Sequence, residues 1–166
     1  MSHPATTRAP RVIEMTICSA LGNVQAVDNL ARRLSTDAGL SEEDIDKVEM
    51  AVHESTINAI MHGNKNDARK FVHLHFQLLP DRLEIRVRDE GNGFDPQRLA
   101  DPLSTDNLLK ASGRGIFLIR AFMDEFRVGK VAGSGTEVTL IKNLHPRTQP
   151  QEGGRQREHE GHGKTS

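Results

Sequence analysis

The stretch FVHLHFQLLPDRLEIRVRDEGNGFDP, residues 71–96, decides the fold. Within 71–79 and again within 82–89, apolar side chains alternate with polar ones, the period-two pattern of a strand with one buried face. Pro80 and Asp81 stand between the runs and supply a turn, so the pair reads as a β-hairpin. A sheet with one apolar face needs helices to cover it, and the flanking sequence provides them. Val24, Val27, Leu30, Ala31 and Leu34 recur at helical spacing, in a helix ending near Gly39. Ser41, followed by Glu42, Glu43 and Asp44, reads as the capped start of a second helix, running to about His62 with Gly63 as its stop. A third helix is expected from about Arg114 to Asp124. Further strands are expected over 11–18, with Ile13, Met15 and Ile17 on one face, and over 125–131 and 135–143. The order β, α, α, β, β, long loop, α, β, β predicts an α+β two-layer sandwich. Its sheet is mixed or mostly antiparallel, with about three helices on one face. A doubly wound dinucleotide fold would alternate strand with helix and does not fit.

Composition narrows the function. A chain of 166 residues supports one domain with a real core. The formal net charge of −1 gives no global attraction for nucleic acid or an acidic membrane, and with 4% aromatic residues there is no base-stacking platform. The single cysteine, Cys18, excludes an intrachain disulfide, suits a cytoplasmic setting, and within an apolar strand pattern reads as core filling. The N-terminus lacks the apolar core of a signal peptide, and the run Ile116 to Ile119 is far too short to span a bilayer. Residues 1–10 read as a flexible lead-in, 11–143 as the domain and 144–166 as a disordered polar tail. From His145 onward there is no aliphatic residue whose burial could offset the entropy of ordering. His73 and His75 share a strand face, but no third metal ligand lies at a persuasive spacing.

Three polar features carry chemistry. On the second helix Glu54 and Asn58 are four apart and stack one above the other, and His62 continues the line. Periodicity alone makes this a solvated face. Two details argue for more: Asn is a poor choice in a helix interior, and Met50, Ala51, Ile57, Ile60 and Met61 adjoin the line. An amide oxygen with a carboxylate one turn away suits a hydrated Mg²⁺ and a nearby proton acceptor. The second feature is Asp89 at a strand end, followed by Gly91 and Gly93. It is a turn on the plainest reading, yet also a carboxylate able to accept from a base amine, beside glycines that let a flat base approach. The third is Gly113, Arg114 and Gly115 at the start of the third helix, where free N–H groups attract phosphate. It is not a Walker A loop, because no Gly-Lys-Ser/Thr ending follows. Gly135 and Thr136 at the last strand carry little weight alone.

Taken in order, ESTINAIMHG (54–63), DEGNGFDP (89–96), GRGIFLIR (113–120) and GTEV (135–138) resemble the boxes of the GHKL ATP-binding superfamily, over about residues 11–143. The compact one-domain form is similar to the bacterial anti-sigma-factor serine/threonine kinases. The resemblance implies ATP and Mg²⁺ as cofactors and phosphorylation of an anti-sigma-factor antagonist on Ser or Thr, together with sequestration of a sigma factor. It also implies a homodimer. It makes Glu54 the general base, Asn58 the Mg²⁺ ligand and Asp89 the acceptor of the adenine amine, with Gly91 and Gly93 giving the base room. Gly113, Arg114 and Gly115 would cover the phosphates, His62 would lie near them, and Thr136 would support the adenine site. Residues 96–112 would form a mobile lid. The alternative is a non-catalytic ATP-binding module that regulates a protein partner.

Overall fold

The computed structural model describes residues 9–92 and 111–144. The rest of the N-terminal lead-in, the expected lid up to residue 110 and the tail from residue 145 lie outside the described residues, as does Gly93. Five strands form one antiparallel sheet in the order β1-β2-β3-β5-β4. They are β1 (Arg11–Cys18), β2 (Phe71–Leu78), β3 (Arg82–Arg88), β4 (Glu125–Lys130) and β5 (Thr136–Asn143). The helices are α1 (Val24–Ala38), α2 (Glu42–Asn58) and α3 (Ala111–Phe122). The α+β reading holds, and every strand pairing is antiparallel rather than mixed.

Alternation explains the layering. In β2 and β3 the register sets Leu78 opposite Leu83, Phe76 opposite Ile85 and Leu74 opposite Val87. All six are buried, and with Val72 and Leu140 they form one apolar face. Because the side-chain period is two, a one-residue slip would turn this whole set to solvent. The hairpin closes through the N–H of Leu79 to the Arg82 carbonyl at 2.8 Å, around Pro80 and Asp81. Against that face lie Val24, Val27, Ala31 and Leu34 of α1 and Val48, Ala51 and Val52 of α2. Gly39, at φ 80°, takes the left-handed position that ends α1. The Ser41 side chain accepts from the Asp44 N–H at 3.2 Å, capping α2 as expected.

The structure corrects three expectations. Cys18 is exposed: it follows Ile17 in β1 and so points to the opposite face. The apolar flank beside the polar line of α2 holds at Ala51, which is fully buried, and Ser55 is buried with it. The third helix begins at Ala111 rather than near Arg114. Leu144, expected in the tail, packs against the core and donates its N–H to the Asp81 carbonyl at 2.8 Å.

Lys142 is a buried cation on the helix-facing side of β5. Its Nζ lies 3.0 Å from Asp44 Oδ1, 3.8 Å from Asp124 Oδ1 and 3.3 Å from the Phe122 carbonyl. It thereby ties the start of α2 to the end of α3. No helix among the described residues is long and apolar enough to cross a membrane.

Candidate functional site

Helix α2 does not stop at Gly63 by fraying. It widens into a π-helical turn over Ala59–Gly63, in which the Asn64 N–H reaches back five residues to the Ala59 carbonyl at 2.8 Å. Such turns insert an extra residue and re-aim the chain beyond them. Upstream of the widening, Glu54 and Asn58 are half-buried, and among the described residues neither side chain has a hydrogen-bond partner. Downstream, His62 is exposed, while Gly63 and Asn64 turn inward toward the ends of β2 and β3.

Three glycine backbones enclose the Asp89 carboxyl group. A methyl group on Gly63 would overlap that carboxyl, one on Gly91 would strike the Gly63 carbonyl, and one on Gly135 would strike the Asp89 carbonyl. Gly135 also sits at φ +99°, which disfavours a side chain independently of space. Asp89 itself is 5% exposed. Its Oδ1 accepts the N–H of Gly91 at 2.8 Å and of Thr136 at 3.1 Å, and its own N–H reaches the Thr136 carbonyl at 3.0 Å. Among the described residues no donor reaches Oδ2. Burial pushes the Asp89 carboxyl above the ordinary carboxylate range, and the two backbone N–H groups only partly oppose it. The result is a fixed, largely desolvated acceptor with one free oxygen, in a cradle walled by backbone.

The second pole lies at the other end of this stretch of α2. Gly115 is the fifth residue of α3, so its N–H falls within the helical ladder rather than among the four free ones at the start. Its lack of a side chain does something else. A Cβ there would stand 2.7 Å from Glu54 Oε2 and 3.5 Å from Asn58 Nδ2, so glycine lets α3 close onto the polar line of α2. Gly113 lies in the first turn of α3, whereas the Arg114 side chain is outside the described residues. Gly63 stands nine positions after Glu54, about two and a half helical turns further on. Oxygen donors of the Glu54 and Asn58 type fit Mg²⁺, which keeps most of its waters and takes one or two protein ligands.

The pattern of the sequence therefore brings Glu54, Asn58 and Gly115 together at one pole, and Asp89, Gly91 and Thr136 at the other. His62 joins neither pole by any hydrogen bond among the described residues. Sequence reasoning missed Asn64, and gave no role in the site to Gly63 and Gly135 although they fall in the boxes 54–63 and 135–138. Read from its neighbours alone Gly63 is a helix stop, because nothing local says that a carboxyl group from 26 residues later needs its space. Elsewhere, no group of three or more His, Cys, Asp or Glu among the described residues is placed to hold a metal.

Comparison with known proteins places the chain in a family. Residues 17–142 match the histidine kinase-like ATPase domain family. The chain is 31% identical over 139 residues to the serine-protein kinase RsbW of Staphylococcus epidermidis, covering 80% of this chain and 86% of that protein. It is 35% identical over 113 residues to the RsbW of Bacillus subtilis (strain 168), covering 64% and 69%. Among solved structures it is similar to the RsbU and RsbW domains of Rv1364c from Mycobacterium tuberculosis. That match has a TM-score of 0.59 and 20% identity, and covers 81% of this chain and 32% of the other. A histidine kinase domain from Erythrobacter litoralis EL346 superposes with a TM-score of 0.51 at 18% identity, over 77% of this chain and 62% of that one. These two likenesses concern the fold.

Proposed function

Because the chain belongs to the histidine kinase-like ATPase domain family, we propose that it is an ATP- and Mg²⁺-dependent protein serine/threonine kinase acting in a cytoplasmic partner switch. Its target is a small antagonist protein carrying a Ser or Thr, and its second partner is a sigma factor that it sequesters, with the kinase itself a homodimer. The RsbW proteins it resembles are named serine-protein kinases. The observation that carries the reading is the approach of Gly115 to Glu54 and Asn58, which sets a carboxylate and an amide beside the start of α3.

In this reading residues 11–143 form the catalytic domain. Asp89 accepts the adenine amine through its free oxygen, with Gly91, Gly93 and Thr136 shaping the base site. Asn58 holds the metal. Bound there, Mg²⁺ would supply positive charge against the charge of the transferring phosphoryl group, which is most of what the reaction needs beyond positioning. Gly113, Arg114 and Gly115 cover the phosphates, His62 borders them, and the lid lies over 96–112. Glu54 orients the target hydroxyl and takes its proton as the oxygen attacks the γ-phosphorus, while the bond from that phosphorus to the β,γ-bridging oxygen breaks and ADP leaves.

The test uses the full chain, γ-labelled ATP, Mg²⁺ and candidate antagonist proteins carrying a Ser or Thr. Label should appear on the antagonist's hydroxyl residue. Glu54→Gln should slow transfer by about 10²–10⁴-fold, the usual worth of a general base, while ATP still binds. Nucleotide-dependent partner binding with no transfer to any candidate would instead make the chain a regulatory binding module.

A further inference from the structure

The register of the β2–β3 hairpin sets His73 opposite Arg88. Continued by two residues, it would set Phe71 opposite Glu90. The ladder does not continue there in the ordinary way. The Asn64 carboxamide is inserted between the two strands: its Nδ2 donates to the Phe71 carbonyl at 2.9 Å, and its Oδ1 accepts the Glu90 N–H at 2.8 Å. The Glu90 carboxylate completes the join, with Oε2 accepting the Phe71 N–H at 3.0 Å and Oε1 lying 2.9 Å from His73 Nε2. Asn64 is 1% exposed, so both halves of its amide must be satisfied by protein, and they are.

The placement is specific. Asn64 directly follows Gly63, and Glu90 directly follows Asp89. The pair Asn64–Glu90 is therefore the next step of the Gly63–Asp89 contact. Two consecutive contacts between the same two segments fix both their spacing and their register. Without the second contact, the Asp89 loop would be tied by hydrogen bonds on its β5 side, through Thr136, and lose those on its β2 side. The same insertion holds the end of β3 away from β2, while the Asp89 N–H pairs on the opposite side with the Thr136 carbonyl.

We propose that Asn64 and Glu90 are positioning residues that hold the Asp89 carboxylate in place for the base, and so set the preference for adenine. This rests on the reading that Asp89 accepts the adenine amine. Neither residue needs to touch the nucleotide. A displacement of Asp89 by about 1 Å is enough to lose a directed hydrogen bond.

The experiment compares Kd for ATP with Kd for inosine triphosphate, which carries a carbonyl in place of the amine. Wild type, Asp89→Asn, Asn64→Leu, Glu90→Ala and Glu90→Gln are titrated, with folding checked by circular dichroism. Asn64→Leu and Glu90→Ala should each weaken ATP by about tenfold, the worth of one hydrogen bond to a charged acceptor. Binding of inosine triphosphate should change by less than about threefold on the same scale. Glu90→Gln, which keeps an acceptor for the Phe71 N–H, should recover most of the preference. If Asn64→Leu does not fold, Glu90→Ala, at a partly exposed side chain, decides alone. Collapse of the ATP preference in Asp89→Asn but not in the folded Asn64 or Glu90 variants would overturn the proposal. Equal losses for both nucleotides in those variants would overturn it too. An unchanged preference in Asp89→Asn would overturn the adenine reading itself.

Discussion

Gly63→Ala sets two magnitudes of opposite sign against each other. Gly63 lies in a helical turn and is not among the glycines with positive φ. On propensity alone, alanine would stabilise the turn by about 1 kcal/mol. The contact says the reverse. The new Cβ would sit 2.7 Å from Asp89 Cβ and closer still to the carboxyl atoms, below any distance real Cβ atoms adopt. Asp89 cannot simply swing aside, because its Oδ1 is held by Gly91 and Thr136. Relief by overpacking costs about 1–3 kcal/mol, so the net change is a loss of up to about 2 kcal/mol once propensity is deducted. Binding suffers more, since the free oxygen of Asp89 moves out of reach. Losing a hydrogen bond to a charged acceptor is worth about 1.5–3 kcal/mol, about a 10- to 100-fold rise in Kd. Calorimetric titration with MgATP and urea denaturation measure the two effects. Gly22→Ala, in a helical turn where nothing lies within 4 Å, is the control: it should leave ATP binding unchanged and not lower stability. In an Asp89→Gly background the stability cost of Gly63→Ala should vanish, because the carboxyl atoms and the Cβ at 2.7 Å are all gone. A folded Gly63→Ala protein that gains stability and binds ATP within about twofold of wild type would refute the reasoning.

Other outcomes rest on the same geometry. Gly115→Ala places a methyl group 2.7 Å from Glu54 Oε2; it should lower kcat by about tenfold or more while changing the KM for ATP little, and steady-state kinetics show the split. Because the Asp89 carboxyl is raised above its ordinary range, ATP affinity should fall on acidification through that raised value, before unperturbed aspartates protonate. Stability runs the other way: a raised carboxyl disfavours the folded state as pH rises through the shifted range, so Asp89→Asn should raise the melting temperature of the nucleotide-free protein at neutral pH and flatten the pH dependence of binding. Lys142→Met should cost about 1–3 kcal/mol in urea denaturation, since it strands Asp44 and the Phe122 carbonyl. Asp44 lies below the usual carboxylate range chiefly because Lys142 donates to it, so its contribution is present at neutral pH and lost as acid protonates it. That acid limb should be shallower in the variant.

How much was legible in the sequence depends on the range of each cause. Strands and helix caps are local. The alternation in 71–78 and 82–88 signalled the hairpin, and Ser41 marked the start of α2, because each is decided within a few residues. The side of the sheet on which Cys18 falls needed the phase of β1 as well as its apolar content. The inward Lys142 was invisible, since only the arrival of Asp44 and Asp124 from elsewhere makes a buried cation tolerable there. The polar line of α2 could be drawn, but not the α3 glycine that packs on it. The π-helical turn had no sequence signal at all. It sets Asn64 where its carboxamide joins Phe71 and Glu90, partners that arrive from elsewhere in the chain.

The most direct measurement is a titration of isotopically labelled protein with MgATP, followed by amide chemical shifts. The account predicts that Gly63, Gly91, Gly115 and Thr136 shift together along one saturation curve, while His75 and Arg86 on the opposite face of the sheet stay still. Shifts confined to that opposite face, or none at millimolar nucleotide in folded protein, would contradict it.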